Sequence, residues 1–494
     1  RSDGQGASGY SPISSGFLGD TVLPAPAQLT ATDGEFDDRV DIAWPTVIGG
    51  SHYRLYRSEQ ADPTTARSLS DWQVDTAFAD REVVPGTVYY YWVKVATDAR
   101  GGKASDLGSV NSGYRALVAP SAVQATVGSL GEVEVSWGPS EGAGFFRVYR
   151  STSANSVGAR ALSGWQSAVR YVDRTAAPGT IYYYWIKASP RDNGFNASDF
   201  GVAASGYRAL AAPAGLTLQG MTSQVRLVWD PVAGATHYQV LRATVADPQR
   251  AAPLSGWQRA ASFADRTAAP GVTYYYWVQG AVDAMGSRTS AASAPQDEYR
   301  RVAAPEIADA SQGDEAQVAI SWAPVDGASH YRILRGVVPN SAAAQVVGDW
   351  QAASEFTDAD AVPGATYYYW VQAAVDAVGG RASALSTQRD GYRGLAPVEP
   401  QIIASDEQRV DLGWPAVAGA AVYRVFRSEQ PDARQAAPIS VWQTATDFTD
   451  NGALPGVTYY YWVRAAADDQ GLNAAVFGAS ASGYRVLQNA GGLS

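Results

Sequence analysis

The sequence predicts an all-β protein built from tandem two-sheet sandwiches. All 15 tryptophans fall into three registers, each recurring at steps of 92 or 93 residues. Between them lie short segments in which apolar and polar residues alternate with a period of two, as in half-buried strands. The chain has 494 residues, which is more than a single hydrophobic core supports, so several copies of one unit are expected.

The strands of the first unit can be placed in order. VDIAW, ending at Trp44, alternates apolar and polar residues, and a second alternating run, HYRLYR, follows the turn residues PTVIGGS. The pair Trp72-Gln73 then precedes the turn at Pro85-Gly86, after which YYYWVKVA is rich in aromatic and β-branched residues. A hairpin turn at DARGG and a last strand ending in SGYRAL complete seven short strands, which favours a two-sheet sandwich.

The tryptophan on the second strand, the tyrosine on the third and the string PGTxYYYWV are similar to the motifs of fibronectin type III domains, and they recur in order five times. The resemblance implies an elongated rod of five seven-stranded immunoglobulin-like sandwiches. It divides the chain into 1–24 (last strand of a preceding repeat, with a linker), 25–117 (repeat 1), 118–210 (repeat 2), 211–302 (repeat 3), 303–395 (repeat 4), 396–487 (repeat 5) and 488–494 (start of a further repeat, or a tail).

In that family, the tyrosine after the Pro-Gly turn forms a tyrosine corner, in which its hydroxyl satisfies nearby backbone. The resemblance assigns this structural role to Tyr89, Tyr182, Tyr274, Tyr367 and Tyr459. Strand alternation then directs Tyr91 and Val93 to the core together with Tyr89, and it directs Tyr90 and Trp92 outward.

The two ends of the sequence match parts of a repeat. Residues 7–18, ASGYSPISSGFL, align without gaps with residues 104–115, the last strand of repeat 1, and residues 486–494 align with the start of repeat 3 at 209–217. These matches predict a window cut from a longer array. The alternative is a free first strand that adds to the sheet edge of a neighbouring molecule and polymerises the protein.

Composition excludes several function classes. The net charge of −11 is spread thinly along the chain, which argues against a nucleic-acid partner. The absence of cysteine excludes disulfides, thiolate metal sites and a cysteine nucleophile. No apolar run reaches the roughly 18 residues of a membrane span, and no phosphate loop or GxSxG serine occurs. We therefore expect no enzyme, no catalytic residue, no cofactor and no metal.

Polar residues at repeated positions have structural interpretations. His52, His237 and His330 occupy one register in different repeats, so they are not expected to share a metal. Each repeat has an aspartate before the Pro-Gly turn and an arginine ending the third strand, which predicts cross-strand ion pairs over the alternative of a paired-charge site. The aspartates are Asp80, Asp173, Asp265, Asp358 and Asp450, and the arginines are Arg57, Arg150, Arg242, Arg335 and Arg427.

Two further stretches have alternative readings. The acidic segment 32–41, TDGEFDDRVD, supplies oxygens of the kind that calcium needs, but the other repeats lack it, which favours a solvated loop. The tripeptide Asn196-Ala197-Ser198 fits a glycosylation acceptor.

Outward-facing aromatic residues leave two interpretations open. Arg54, Tyr56, Tyr90 and Trp92 are expected to share one face of a sheet in repeat 1, close to Trp72. Rings beside an arginine are typical of sugar binding. Alternatively, the segment around Trp72 folds over this face and buries Trp72 against Trp92. Recurrence of both tryptophans in all five repeats favours the structural interpretation.

Short linkers predict a spacer. Two to four residues separate the end of one repeat from the Ala-Pro of the next, and a Tyr-Arg pair at each repeat end is expected to pack between neighbours. Five sandwiches end to end extend about 150 to 180 Å. We expect a stalk, an adhesin shaft or a filament component, extracellular or at the cell surface as the resemblance to bacterial arrays implies. The alternative is an array that binds polysaccharide or another surface with its aromatic faces. Neighbouring domains or further copies of the chain are the other expected partners.

Overall fold

The computed structural model describes residues 22–487. Of the predicted segment 1–24, only residues 22–24 are described. The rest of that segment and the predicted start of a further repeat, 488–494, lie outside the described residues. Helical structure within 22–487 is limited to four single 3-10 turns, at Pro63–Thr65, Pro248–Arg250, Ser341–Ala343 and Ala433–Gln435. None of them is long and apolar enough to cross a bilayer.

Repeat 1 packs a three-stranded sheet against a four-stranded sheet. Its strands are β1 Thr30–Ala31, β2 Val40–Ala43, β3 His52–Ser58, β4 Arg67–Ser68, β5 Ala77–Asp80, β6 Val88–Ala96 and β7 Asn111–Tyr114. The sheet orders are β1-β2-β5 and β4-β3-β6-β7, with antiparallel neighbours. The long pair β3 and β6 forms the centre of the larger sheet.

Repeats 2 and 4 contain one strand more. Repeat 2 has β8 Gln124–Ala125, β9 Val127–Ser129, β10 Val133–Ser136, β11 Phe145–Ser151, β12 Arg160–Ala161, β13 Arg170–Asp173, β14 Tyr182–Ser189 and β15 Ala204–Arg208. Its sheets run β8-β10-β13 and β12-β11-β14-β15-β9, because the first strand divides and its second half crosses to pair parallel with the last strand.

Repeat 3 has the seven-stranded arrangement of repeat 1. Its strands are β16 Thr217–Gly220, β17 Val225–Val228, β18 His237–Ala243, β19 Ala252–Pro253, β20 Ser262–Asp265, β21 Thr273–Ala281 and β22 Gln296–Tyr299. The sheet orders are β16-β17-β20 and β19-β18-β21-β22.

Repeat 4 divides its first strand as repeat 2 does. Its strands are β23 Ile307–Ala310, β24 Gln312–Asp314, β25 Val318–Trp322, β26 His330–Gly336, β27 Gln345–Gln351, β28 Glu355–Asp358, β29 Thr366–Ala374 and β30 Arg389–Arg393. The sheet orders are β23-β25-β28 and β24-β30-β29-β26-β27.

Repeat 5 returns to seven strands. They are β31 Gln401–Ser405, β32 Val410–Gly413, β33 Val422–Ser428, β34 Ala437–Pro438, β35 Asp447–Asp450, β36 Tyr459–Ala466 and β37 Ala481–Gly483, in sheets β31-β32-β35 and β34-β33-β36-β37. The all-β two-sheet fold class predicted from the sequence is confirmed.

Alternation along each strand builds one core between the two sheets. In repeat 1, Val40 and Ile42 from the smaller sheet meet Leu55 and Tyr91 from the larger one, and all four are buried. Trp44 completes the core, since its ring centre lies 5.9 Å from that of Tyr53, which is also buried. Each repeat thus buries its apolar residues in a cluster of its own, as stacked repeats with separate cores do.

The glutamine of each Trp-Gln pair joins the two sheets at one edge. In repeat 1, the Gln73 backbone exchanges two hydrogen bonds with Tyr53, and its side-chain amide donates to the Ala77 carbonyl at the start of β5. The side-chain amide makes the same hydrogen bond, 2.6 to 3.0 Å long, in the other repeats, where the glutamines are Gln166, Gln258, Gln351 and Gln443. The recurring glutamine is therefore explained by the fold.

A buried aspartate connects the sheets in every repeat. Asp80 ends β5, and its carboxylate accepts from the Arg57 guanidinium of β3 and from the Tyr91 hydroxyl of β6. Across the five repeats, the arginine lies 2.5 to 2.8 Å from the carboxylate and the hydroxyl 2.9 to 3.1 Å. The ion pairs predicted from the sequence are confirmed, although they bridge the two sheets, and the tyrosine partner was not predicted.

In repeats 2 and 3, the hydrogen bonds to this carboxylate outweigh the effect of burial on its pKa. Burial alone would raise the pKa of Asp173, but hydrogen bonds from Thr175 and Arg150 hold it below its ordinary value. Asp265 behaves in the same way, with Thr267 and Arg242 as its partners. Burial and the nearby carboxylate raise the pKa of Tyr184 far above its ordinary value, so its hydroxyl remains a donor.

Removing one tyrosine hydroxyl tests this network. We expect Tyr184→Phe to reduce the free energy of unfolding of repeat 2 by about 1 to 3 kcal/mol, because the buried Asp173 loses a donor. Hydrogen exchange of the whole chain, followed by mass spectrometry, reports each repeat separately, and the other four repeats serve as internal references. Tyr183→Phe, on the outward face of the same strand, is the matched control and should change little. Equal effects of the two variants would contradict the network's role.

Acidification tests the same network through its pKa. The folded pKa of Asp265 lies below the unfolded value of about 3.9, so its stabilisation is complete above that value and is lost as the pH falls through the folded pKa. We expect the urea concentration at which repeat 3 is half unfolded to decrease as the pH is lowered below about 4. Pulsed hydrogen exchange measures this midpoint for repeat 3 alone. Asp265→Asn should lower this midpoint at pH 7 and flatten its dependence on acid. An unchanged acid dependence in the variant would be inconsistent with this assignment.

Candidate functional site at the junctions between repeats

The Pro-Gly turn of each repeat is held rigidly by its own domain. In repeat 2, the Thr175 amide donates to Asp173, and the Gly179 amide donates to the Arg208 carbonyl of the last strand, at 2.8 Å in both bonds. The corresponding glycine bond in the other repeats measures 2.8 to 3.0 Å. The turn is therefore fixed at both ends, and its glycine carbonyl points to the following repeat.

A side chain of the following repeat donates to that carbonyl at all four junctions between the repeats within residues 22–487. The donor is a residue in the hairpin after the central long strand: Asn196 to Gly86 (3.1 Å), Arg288 to Gly179 (2.8 Å), Arg381 to Gly271, and Asn473 to Gly364 (2.8 Å). Arg381 and Asn473 add bonds to the hydroxyls of Thr273 and Thr366. We call this contact the hairpin lock.

The donors of the hairpin lock adopt a left-handed backbone conformation. Their φ angles are 49 to 52°, and Lys103, at the corresponding position of repeat 1, has a φ of 49°. This conformation costs a non-glycine residue about 1 to 2 kcal/mol, more readily tolerated by asparagine than by arginine. A strained conformation repeated at every junction marks a position at which the direction of the side chain matters.

Glycines allow the two backbones to approach closely. Gly142, in the loop between β10 and β11, has a φ of 78°, and a Cβ atom there would collide with the Pro85 carbonyl of repeat 1. The same relation holds for Gly234 with Pro178, Gly327 with Pro270, and Gly419 with Pro363. Any side chain at these positions would force the repeats apart.

An apolar residue from the linker fills each junction. Four linker residues are only 2 to 5 % exposed: Leu117, Leu210, Val302 and Leu395. Val302 and Leu395 also join the core clusters of the repeats that follow them. Burial of such a residue contributes about 1.5 to 3 kcal/mol, so each one stabilises the contact between its two repeats.

The Tyr-Arg pairs contribute to both sides of the junction. Each arginine binds a backbone carbonyl before the Pro-Gly turn of its own repeat, as Arg208 does with Ala176 at 3.0 Å; the pairs are Tyr114-Arg115, Tyr207-Arg208, Tyr299-Arg300, Tyr392-Arg393 and Tyr484-Arg485. Arg115 and Arg300 additionally form ion pairs with the next repeat, through Glu141 and Asp326. The packing predicted for these pairs therefore includes ion pairs across two junctions.

The proposed aromatic face is largely covered. β3 and β6 place Tyr56 opposite Trp92 and Arg54 opposite a lysine, yet Trp92 is only 3 % exposed, so its ring offers no free surface for stacking. Arg54, Tyr56, Trp72 and Tyr90 are half-buried. A binding role for these four residues stays a prediction.

The Trp-Gln tryptophan packs on a glycine of the neighbouring hairpin. A Cβ on Gly101 would collide with the Trp72 indole, and the same is true of Gly194 with Trp165, Gly286 with Trp257, Gly379 with Trp350, and Gly471 with Trp442. These glycines have φ angles of 78 to 84°. In repeats 2 to 5, each stands two residues before the donor of the hairpin lock. The tryptophan thereby supports the hairpin that reaches the preceding repeat.

The predicted tyrosine-corner residues lie beneath the arginines. Tyr89, Tyr367 and Tyr459 are buried in the core, and Tyr182 and Tyr274 are half-buried against it. In each repeat, the guanidinium carbon of the arginine lies 4.3 to 4.8 Å from the centre of the tyrosine ring. The pairs are Arg57 with Tyr89, Arg150 with Tyr182, Arg242 with Tyr274, Arg335 with Tyr367, and Arg427 with Tyr459. The Tyr89 and Tyr182 hydroxyls each accept from a backbone amide of the preceding turn at 3.4 Å.

The remaining polar candidates have local partners. His52 bonds the hydroxyl of Ser51 through its Nδ1 atom, and no group of three potential metal ligands occurs within residues 22–487. In the acidic segment, Asp38 and Asp41 pair with Arg39, and Asp38 also pairs with Arg81.

The glycosylation tripeptide lies in the first junction. The Asn196 amide donates across it to Gly86, and Ser198 is buried. A glycan on Asn196 would replace one of the two hydrogens of the amide that makes this contact.

Comparison with known proteins adds no family assignment. No protein-family model matches the sequence. Similar solved structures include the FN1–FN3 domains of chicken CNTN1 (18 % identity, 57 % of this chain and 100 % of that chain, TM-score 0.20) and a two-domain fibronectin type III segment of chicken tenascin (19 %, 37 % and 98 %, 0.29). A Fn3-like protein from Clostridium thermocellum matches at 20 % identity over 19 % of this chain and 95 % of its own, with a TM-score of 0.17.

Junction glycines can be tested against a matched glycine in the same repeat. Gly142→Ala and Gly128→Ala carry the same backbone strain, since their φ angles are 78° and 79°, but a Cβ on Gly128 meets open space. We expect only Gly142→Ala to broaden the distance distribution between nitroxides on cysteines introduced at the exposed Val74 and Val202. The chain has no cysteine of its own to interfere. Broadening in both variants, or in neither, would contradict a junction held by close backbone approach.

Proposed function

We propose that this chain is a non-enzymatic structural spacer, a stalk or filament component in which tandem sandwiches are held at fixed angles. The observation that carries the proposal is the hairpin lock, made at all four junctions between the same positions of successive repeats. A row of domains that only needed to be connected would require linkers alone.

Each junction combines three kinds of contact that resist bending. The hairpin lock fixes one side, the glycine-to-proline approach fixes another, and the linker residue, such as Leu210, is buried between them. Because the acceptor carbonyl belongs to a turn anchored on the core of its own repeat, bending one junction would strain two folded domains. The array is therefore expected to transmit force and orientation along its length.

The same reasoning supports a place outside the cell for the array. A spacer with fixed angles serves to hold another domain away from a surface, or to build a fibre. We infer a secreted or cell-surface location and neighbouring domains, or further copies of the chain, as partners. A carbohydrate-binding array remains the second interpretation, carried by the half-buried residues Tyr56, Trp72 and Tyr90 rather than by Trp92.

Small-angle X-ray scattering of the whole chain tests the spacer directly. We expect a maximum dimension of about 150 to 180 Å and the profile of a single extended shape. A variant with alanine at Gly142, Gly234, Gly327 and Gly419 should scatter as a flexible string of domains. A wild-type profile that matches the variant, or one that indicates a compact particle, would overturn the proposal.

A further inference from the structure

Repeats 1 and 2 place two arginines directly opposite each other on neighbouring strands. Arg150 of β11 pairs in register with Arg160 of β12, and Arg57 of β3 pairs with Arg67 of β4. Like charges directly opposite each other destabilise a strand pair. The arrangement is not required by the fold, because Ala252 and Ala437 occupy the position of Arg160 in repeats 3 and 5.

Only one of the two charges in repeat 2 is balanced. Asp173 accepts from Arg150, whose side chain remains 22 % exposed. Arg160 is exposed, and its side chain makes no hydrogen bond or ion pair within residues 22–487. A guanidinium has five donors in a planar fork that suits carboxylate and sulfate oxygens.

The two arginines line a concave pocket. The pocket of repeat 2 has a volume of about 400 Å³, and its lining includes the hydroxyls of Ser151 and Thr152 and an apolar surface from Leu162 and Tyr182, with no carboxylate. Volumes of roughly 300 to 1,000 Å³ are typical of small-ligand sites. The pocket of repeat 1, about 420 Å³, has Glu59 at the position of Thr152, so its lining contains a carboxylate as well as Arg67.

We propose that repeat 2 binds an acidic polysaccharide, with the carboxylate of a uronate unit held between Arg150 and Arg160, and that repeat 1 provides a weaker second site. The hydroxyls and the apolar floor match a sugar ring, and one excess positive charge matches one anionic group. A densely charged nucleic acid is disfavoured by the net charge of −11. A polymeric ligand that engages both pockets gains affinity from their linkage in one chain. This proposal stands independently of the spacer function.

Calorimetric titration of the full chain tests the site with defined probes: oligogalacturonate, dextran sulfate, neutral dextran and single-stranded DNA. We expect oligogalacturonate to bind and neutral dextran not to bind. Arg160→Ala, which copies Ala252 and Ala437, should weaken binding about tenfold or more, because a charge-assisted fork is lost. Arg170→Ala, an exposed arginine of the same repeat, is the control for net charge and should change affinity less than about twofold.

A gain of function completes the design. Four lining residues of the repeat 2 pocket have identical counterparts in repeat 3, where the position of Arg160 is occupied by Ala252; they are Arg242, Thr244, Leu254 and Tyr274. Adding Ala252→Arg to the Arg160→Ala variant should therefore create a site in repeat 3 and restore binding. If dextran sulfate binds more tightly than oligogalacturonate and its binding also depends on Arg160, the site is retained and its anion is reassigned from carboxylate to sulfate. The absence of binding, equal losses in Arg160→Ala and Arg170→Ala, or preference for DNA would overturn the proposal.

Discussion

The hydrogen bonds and ion pair of the buried aspartate at the end of the strand before the Pro-Gly turn are the interactions on which the rest of each repeat depends. In repeat 2, Asp173 receives hydrogen bonds from Arg150, from the Tyr184 hydroxyl and from the backbone of the following loop. A buried carboxylate is costly unless it is paired and fully hydrogen-bonded, and here those partners come from the opposite sheet and from the turn. One charge thus determines how the sheets are joined and where the Pro-Gly turn begins.

The junction extends this arrangement from one repeat to the next. The turn that the aspartate organises ends in the glycine whose carbonyl accepts the hairpin lock, so the core of one repeat and its contact with the next repeat share a segment of backbone. The hairpin that supplies the donor is in turn supported by the tryptophan of the Trp-Gln pair, which packs on Gly286 in repeat 3. A recurring sequence therefore produces a recurring angle, which is the property that a spacer needs.

Much of this could be predicted from the sequence. The three tryptophan registers, the alternating strands and the Asp-Arg pairs specify a two-sheet sandwich because they depend on periodicity and on charge. The hairpin lock could not be predicted, because Asn196, Arg288, Arg381 and Asn473 share a position and a backbone conformation but not a residue type. Strand alternation alone directs the ring of Trp92 outward, and its burial was expected only from the recurrence of Trp72 and Trp92 in every repeat. The loops that help to cover this register, such as the segment bearing Phe200 beside Trp185 in repeat 2, could not be predicted, because alternation does not describe their path.

Coupling between the core and the junction is tested most directly by Asp173→Asn, under conditions in which repeat 2 remains folded. Distances across the junction of repeats 2 and 3 would be measured between nitroxides on cysteines introduced at the exposed Val157 and Met285, and distances across the next junction between Val245 and Val378. The coupled arrangement predicts a broadened distribution at the first junction and an unchanged distribution at the second. A destabilised repeat 2 with both distributions unchanged would show that the buried charge serves its own sandwich alone.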